Sequence, residues 1–398
     1  MNTKSAVKPR PVIVSGWSSQ YLANEIANSL DSRVVKVSAK QFNDKEIQTT
    51  IEENVRGREV IVIASAAGDP NKQEKESRLL MRAANRSGAK SVTLVLPYMW
   101  YGRSDDNWDE RNSPALTDTI ETLRVHCNSV IVADPHNHGL TREKFLDSGS
   151  PVKNCTTVHF AYPFAVQLKY LFNQHILSPD KLLLSHADAG STKRISRSFR
   201  DSLYNVLCLD RNPDQDDWAQ GLKDRDKATG KTKVKGFSTE VTGKDVVIFE
   251  DMISSGGTAC DLAEVLKGMG ARSVIFFSTS GMFTTAPDKG ITSSVDRVNR
   301  SKIDAVFITD TYDHRLTDPA IDIAIEKSPV IHTIKTSSYL GAIISALHAD
   351  VDDSDLGDIN SISAILRGKH PEQVKLDQEI AHHTPIKEGS PLLSLDIK

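Results

Sequence analysis

Residues 246–258 read Val246-Val247-Ile248-Phe249-Glu250-Asp251-Met252-Ile253-Ser254-Ser255-Gly256-Gly257-Thr258. An apolar run meets two adjacent acids, then a hydroxyl- and glycine-rich turn. Helical apolar spacing follows over Thr258–Met269 and stops at Gly270. A β-branched run without polar alternation suits a strand covered on both faces of a parallel sheet. Ligands of such sheets sit beyond the carboxyl ends of the strands. Glycines let backbone N–H groups converge on an anion, hydroxyls add donors, and a helix start adds positive dipole. Two acids at the strand end can accept hydrogen bonds from the vicinal hydroxyls of a ribose. A hydroxyl–glycine turn alone is more simply a capped helix start, with Ser255 or Thr258 as N-cap. The paired acids and the buried strand before them favour a ribose-phosphate site.

Working outward, this strand has a counterpart in the first half of the chain. Gly57-Arg58-Glu59-Val60-Ile61-Val62-Ile63 matches Gly243-Lys244-Asp245-Val246-Val247-Ile248-Phe249. Gly88-Ala89-Lys90-Ser91-Val92 matches Gly270-Ala271-Arg272-Ser273-Val274, and Val130-Ile131-Val132-Ala133-Asp134 matches Val306-Phe307-Ile308-Thr309-Asp310. Three anchors in one order point to an internal duplication. Strands are predicted at Val12–Ser15, Val60–Ala64, Val92–Leu96 and Val130–Ala133, then at Lys181–Ser185, Val246–Glu250, Val274–Thr279 and Val306–Thr309. Ser19–Leu30 and Thr117–Cys127 carry helical spacing between them. Alternating βα units imply two α/β domains with parallel sheets. We place them at 1–160 and 161–354, with an appended or partly ordered extension over 355–398 that holds a weak helical stretch near Ile362–Arg367. Asp210–Lys235, polar and broken by Pro213, Gly221 and Gly230, reads as a long mobile loop.

The bulk figures exclude several classes. At 398 residues the chain has room for two or three cores. Lys+Arg 49 against Asp+Glu 52 leaves a net charge of -3, which builds no field to recruit nucleic acid or an anionic membrane. No apolar run approaches the roughly 20 residues of a membrane span, and the amino terminus has too short an apolar run for a signal peptide. Cys127, Cys155, Cys208 and Cys260 form no CxxC pair and read as reduced cysteines of a cytoplasmic protein.

Further strand ends carry chemistry. Pro97-Tyr98-Met99-Trp100-Tyr101-Gly102-Arg103-Ser104-Asp105, Asp134-Pro135-His136-Asn137-His138 and His186-Ala187-Asp188-Ala189-Gly190-Ser191-Thr192-Lys193-Arg194 each follow a predicted strand. Alone, Arg103 would read as a surface cation paired with a nearby acid, and His138 as a satisfied polar residue.

Together these segments resemble the ribose-phosphate pyrophosphokinase (PRPP synthetase) family over roughly residues 10 to 350. Residues 250–258 look like the PRPP-binding signature shared with type I phosphoribosyltransferases, with Glu250 where Asp is common and Ser254 where many members carry Asp. Phe42-Asn43-Asp44-Lys45-Glu46 resembles the synthetase adenine-binding element. Pro97–Asp105 resembles its tyrosine-rich stretch with Ser104 in place of Gln, and Asp134–His136 its Asp-Leu-His motif with Pro135 in place of Leu. Asp188-Ala189-Gly190 resembles the pyrophosphate loop.

The resemblance implies two tandem type I phosphoribosyltransferase-like domains, each a mainly parallel sheet flanked by helices, plus the C-terminal extension. It implies diphosphoryl transfer from ATP to the anomeric hydroxyl of ribose 5-phosphate, with Mg²⁺. Phe42, Asp44, Glu46, Arg103, Asp105 and His136 would bind ATP, and His136 and Asp188 the metal. Asp188, Ala189, Gly190, Glu250, Asp251, Ser254, Ser255, Gly256, Gly257 and Thr258 would hold the ribose phosphate. Arg103, His136, Asp251 and a loop lysine would be catalytic. Lys227 stands at about the right distance before Asp251, but Thr229 occupies the place of an expected Arg, so Lys231 or Lys233 would substitute. A homo-oligomer, dimer or hexamer, is implied, because the family completes its adenine pocket with a neighbouring subunit. Three other readings stay open: the same transfer to a larger acceptor such as ADP-ribose, a non-catalytic regulatory subunit, and a phosphoribosyltransferase.

Overall fold

The fold is described from a computed structural model covering residues 10–65, 68–105, 111, 113–187, 195, 197–209, 218–225, 232–284, 293–348 and 384–395. The chain forms two compact units, Met1–Val158 with Leu340–Ser345, and His159–Tyr339 with Ala346–Lys398.

In the first unit, β1 (Val12–Ser15) is followed by the antiparallel hairpin β2 (Val37–Gln41) and β3 (Ile47–Ile51). Next come β4 (Glu59–Ile63), β5 (Ser91–Leu96), β6 (Ser129–Ala133) and β7 (Asn154–Val158). The sheet order is β1-β4-β5-β6-β7, with every pairing parallel. Helices of this unit include α1 (Gln20–Ser29), α2 (Pro70–Arg86), α3 (Ala115–Arg124) and α4 (His138–Leu146). Asp69 caps α2 by accepting from the Asn71 and Lys72 amides, and Pro70 takes the first helical position, where its missing N–H costs nothing.

In the second unit, α5 (Ala161–Asn173) leads to β8 (Leu182–His186) and α6 (Arg197–Leu207). Then follow β9 (Ala219–Arg225), β10 (Thr232–Phe237), β11 (Asp245–Ile253), α7 (Gly257–Gly268) and β12 (Ser273–Gly281). The short helix α8 (Ser294–Asn299), β13 (Ala305–Thr309) and β14 (Ile331–Ile334) complete the order β10-β9-β8-β11-β12-β13-β14. All nine residues of β12 are buried, as expected of a central strand covered on both faces.

The repeated anchors have one physical cause. Gly57 and Gly243, both at positive φ, donate their amides to the carbonyls of Gly88 and Gly270, at 2.8 and 2.9 Å. Lys90 N–H meets the Arg58 carbonyl and Arg272 N–H the Lys244 carbonyl, both at 2.8 Å. In each half the acid opening the first strand pairs with the base of the second anchor: Glu59 with Lys90 at 2.9 Å, and Asp245 with Arg272 at 2.6 Å. The device locks neighbouring strands in register at their amino ends.

One stretch departs from expectation, and two others fill in what the sequence left open. Asp210–Lys235 is not one long loop: β9 and β10 form an antiparallel hairpin, and β9 joins the sheet beside β8. Within the extension, Thr384 accepts from Gln167 and donates to the Thr333 carbonyl, and Leu392 is 1% exposed. Lys387 donates to the carbonyls of Ile325 and Ile331, so this part packs over the edge strand β14, as an exposed edge demands. The stretch near Ile362–Arg367 lies outside the described residues. Finally α2, at 17 residues, carries too many charges to show a clear apolar stripe, yet it buries Leu80, Met81 and Ala84.

The two anchor pairs differ in burial, which sets a stability test. The Asp245 side chain is 0% exposed, while the Lys90 side chain is 62% exposed. Arg272→Met strands a buried carboxylate and should cost about 3–5 kcal/mol, whereas Lys90→Met should cost no more than about 1 kcal/mol. Urea unfolding of the two variants checks the contrast; comparable losses would disprove it.

Candidate active site

Of the expected residues, Glu250, Asp251 and Ser254 to Thr258 come at the carboxyl edge of the second unit's sheet, and Arg103, Asp105 and His136 at that of the first. In the second unit β11 aligns Phe249 with His186 of β8 and Phe277 of β12, so Glu250 and Asp251 come at the carboxyl edge. Both acids are half-buried. Past them Ile253 pairs with Gly281, and its carbonyl accepts the Met282 amide at 2.8 Å. The Ser254 and Thr284 hydroxyls lie 2.9 Å apart.

The start of the helix bears on the capped-helix reading of this turn. The N-cap of α7 is Gly256, in the left-handed region at φ 72°, with no side-chain cap hydrogen bond and no acid in the first turn. Neither Ser255 nor Thr258 caps the helix. Its first amides are therefore not satisfied by a cap, as an anion site requires. Gly256 also packs closely: a Cβ there would stand 3.1 Å from a Val298 methyl.

Of the other residues assigned to this half, Asp188, Ala189, Gly190, Lys227 and Lys231 lie outside the described residues, and Lys233 is described only by its position on β10. β9 pairs with β8 only through Ser185–Ala219 and His186–Gln220, so the rest of β9 runs on past the carboxyl edge. A Cβ on Gly221 would overlap the Ala187 carbonyl oxygen, so only glycine lets the hairpin base lie against the residue preceding Asp188.

In the first unit the ends of β5 and β6 meet. A side chain at Gly102 would stand 3.6 Å from the His136 Cβ, so the backbone beside Arg103 lies against His136. Asn137 donates to Asp105 at 3.1 Å while its own side-chain oxygen caps α4 at Leu140. His138 lies 3.5 Å from Asp134. Arg103 is exposed and His136 half-buried. Tyr101 and Asp134 both sit at positive φ, a conformation costly for non-glycine residues and concentrated at functional sites.

The hairpin bearing Phe42, Asp44 and Glu46 lies beside the start of α2. Between them a cleft of about 600 Å³ is lined by Gln41, Lys45, Glu46, Asp69, Asn71 and Lys72 among others. Phe42 is 38% exposed beneath the Lys40 ammonium, and Asp44 accepts the Glu46 amide at 3.1 Å. Tyr101 donates to Asn71 at 2.6 Å, linking the cleft to the Arg103 strand end. Beneath it Glu76 is buried and takes the Trp17 amide at 3.1 Å; burial pushes its carboxyl upward. Asn71, Lys72, Gly102 and Asn137 were not predicted, because each acts through a neighbour and belongs to no local pattern.

Among the described residues no group of three His, Cys, Asp or Glu side chains is placed to hold a metal ion. His136 offers one imidazole nitrogen, whereas Mg²⁺ takes chiefly oxygen ligands, so a nucleotide's phosphates and waters would have to supply the rest of its shell.

Two α/β units with mainly parallel sheets, the second with an acid pair and a glycine turn at its carboxyl edge, have the architecture of tandem type I phosphoribosyltransferase-like domains. Residues 11–124 match the family model of the N-terminal domain of ribose phosphate pyrophosphokinase. Ribose-phosphate pyrophosphokinase of Helicobacter hepaticus is 29% identical over 315 residues, 78% of this chain and 90% of its own length. That of Brucella melitensis is 28% identical, covering 87% and 99%. The crystal structure of phosphoribosylpyrophosphate synthetase from Mycobacterium smegmatis superposes with a TM-score of 0.68 at 20% identity, over 86% of this chain and 100% of that one. The chain is similar to ribose-phosphate pyrophosphokinases over most of its length and has the fold of phosphoribosylpyrophosphate synthetase.

Placing a Cβ on Gly256 strains a left-handed residue by about 1–2 kcal/mol. Gly256→Ala should therefore weaken binding of inorganic phosphate or a sugar phosphate by about tenfold, the equivalent of 1.4 kcal/mol. Titration calorimetry measures this directly, and unchanged affinity would remove the turn from the binding site.

Proposed function

We propose that the protein transfers the diphosphoryl group of ATP to the anomeric hydroxyl of ribose 5-phosphate, releasing AMP and forming PRPP. The observation that carries this reading is the end of β11 and the turn after it, 250–258: a paired acid, a left-handed glycine and a helix start without a side-chain cap. Relatedness to ribose-phosphate pyrophosphokinases over most of the chain supports it.

In this reading the amides and hydroxyls of Ser254, Ser255, Gly256, Gly257 and Thr258 hold the 5-phosphate, and Glu250 and Asp251 orient the ribose hydroxyls. The anomeric oxygen attacks the β-phosphorus, a new O–P bond forms, and the bond bridging the α- and β-phosphates breaks with AMP as leaving group. The hydroxyl proton passes to solvent. Such chemistry rests on positioning and charge neutralisation. Arg103 meets the ATP phosphates, since a guanidinium matches phosphate oxygens bidentately. Phe42, Asp44 and Glu46 recognise adenine, and Asp105 holds Asn137 beside His136. When Mg²⁺ binds with the nucleotide, His136 and Asp188 would hold it, and it would supply charge neutralisation. The exposed Phe42 ring supports a hairpin that completes the adenine pocket of a second copy in a homo-oligomer. A soluble cytoplasmic setting suits the substrates; among the described residues no helix is long and apolar enough to cross a membrane.

The direct test incubates the protein with Mg-ATP and either ribose 5-phosphate or ADP-ribose and resolves products by mass. AMP should appear in proportion to ribose 5-phosphate consumed. Stoichiometric ADP would reveal a simple kinase, and turnover confined to ADP-ribose would move the acceptor to the larger class. Asp251→Ala should lower turnover by roughly 10²–10³-fold, the scale of one charged contact at a transition state, with the fold intact. Lys227→Ala should cut kcat more than it raises KM, because a closing loop acts mainly on the transition state. The parallel variants Lys231→Ala and Lys233→Ala show whether another lysine takes that role.

A further inference from the structure

The turn at 254–258 is braced from outside by the chain between β12 and β13. Arg297, on α8, donates through Nη1 to the Ser255 carbonyl at 3.0 Å. The same nitrogen lies 3.1 Å from where a Gly257 Cβ would stand. Next to it Val298 packs on Gly256, Ser294 donates to the Thr284 carbonyl at 2.5 Å, and the Thr284 hydroxyl meets Ser254. Arg297 is half-buried, and among the described residues no carboxylate pairs with it.

We infer that Arg297 is a positioning residue for the phosphate of the acceptor, a role that rests on the function proposed above. The peptide between Ser255 and Gly256 is trans and planar, so its carbonyl and its N–H point in opposite directions. Holding the Ser255 carbonyl on Arg297 aims the Gly256 N–H to the other side. Gly256, free to rotate through the left-handed region, would not hold that orientation by itself. The guanidinium does so with one of its five donors, and its charge sits beside the place where the phosphate charge arrives. Arg297 thus does two things: it fixes a donor and biases the field, acting through Ser255 and not on the reacting atoms.

The test compares KM values for ribose 5-phosphate and for ATP in Arg297→Met and Arg297→Lys. Losing a hydrogen bond that supports a charged group should raise the ribose 5-phosphate KM of Arg297→Met by about 10- to 100-fold, with the ATP KM unchanged within about twofold. Arg297→Lys keeps the charge without the planar fork and should recover part of the loss. Binding of inorganic phosphate, followed by calorimetry, should fall in the same order. An unchanged KM ratio in a folded variant overturns the inference. So does an equal loss for both substrates, the mark of a merely structural role. If Arg297→Met does not fold, the ratio in Arg297→Lys decides by the same criterion. A parent protein that releases no AMP overturns the proposed function instead, and phosphate calorimetry then still judges the role of Arg297.

Discussion

The register of the second sheet is held by a row of aromatic rings, and the acid pair depends on it. Phe249, Phe277, Phe307 and His332 are register partners on four adjacent strands. Their rings stack in sequence at 5.5, 4.7 and 5.0 Å. Trp218 extends the row between Phe249 and His186, at 5.2 and 4.9 Å. Side chains alternate faces along a strand, so a one-residue slip of β11 would carry Glu250 into the aromatic layer and Phe249 out of it. Burying an unpaired carboxylate there costs far more than the slip could recover. The apolar packing of the sheet thereby fixes where the acids stand.

One backbone device recurs in the two halves at two energies. Both halves close the same glycine-to-glycine bond and the same acid–base pair. In the second half Asp245 is also held by Ser273 at 2.6 Å and by a two-pronged guanidinium, deep in the sheet. The first half settles for a single ammonium near water. Geometry persisted between the halves while burial diverged.

Much of this was legible in the sequence where the signal was local. The eight predicted strands are present because each is a short apolar run covered on both faces. Glycine at 256 could be read as a turn, but whether Ser255 capped the helix depended on a side-chain rotation that no spacing encodes. The hairpin β9–β10 was hidden by its polar residues, since an edge hairpin has little surface to bury. β7 and β14 mix polar with apolar residues and gave no clear period. Arg297 lies 42 residues from the carbonyl it holds, so no local pattern could reveal it.

The contact between Gly221 and the Ala187 carbonyl separates what can vary from what cannot. At that point the hairpin and the end of β8 share one layer of backbone, with no room for a side chain. Farther out the hairpin runs past the end of β8, and lengthening it costs only slowly growing loop entropy, about 0.6 kcal/mol for each doubling. Over evolutionary time, insertions in the outer hairpin can reshape what is admitted above the sheet while the strand ends beneath keep their positions. The glycine acts as a hinge post: fixed at its foot, it leaves the arm free to be rebuilt for a different guest.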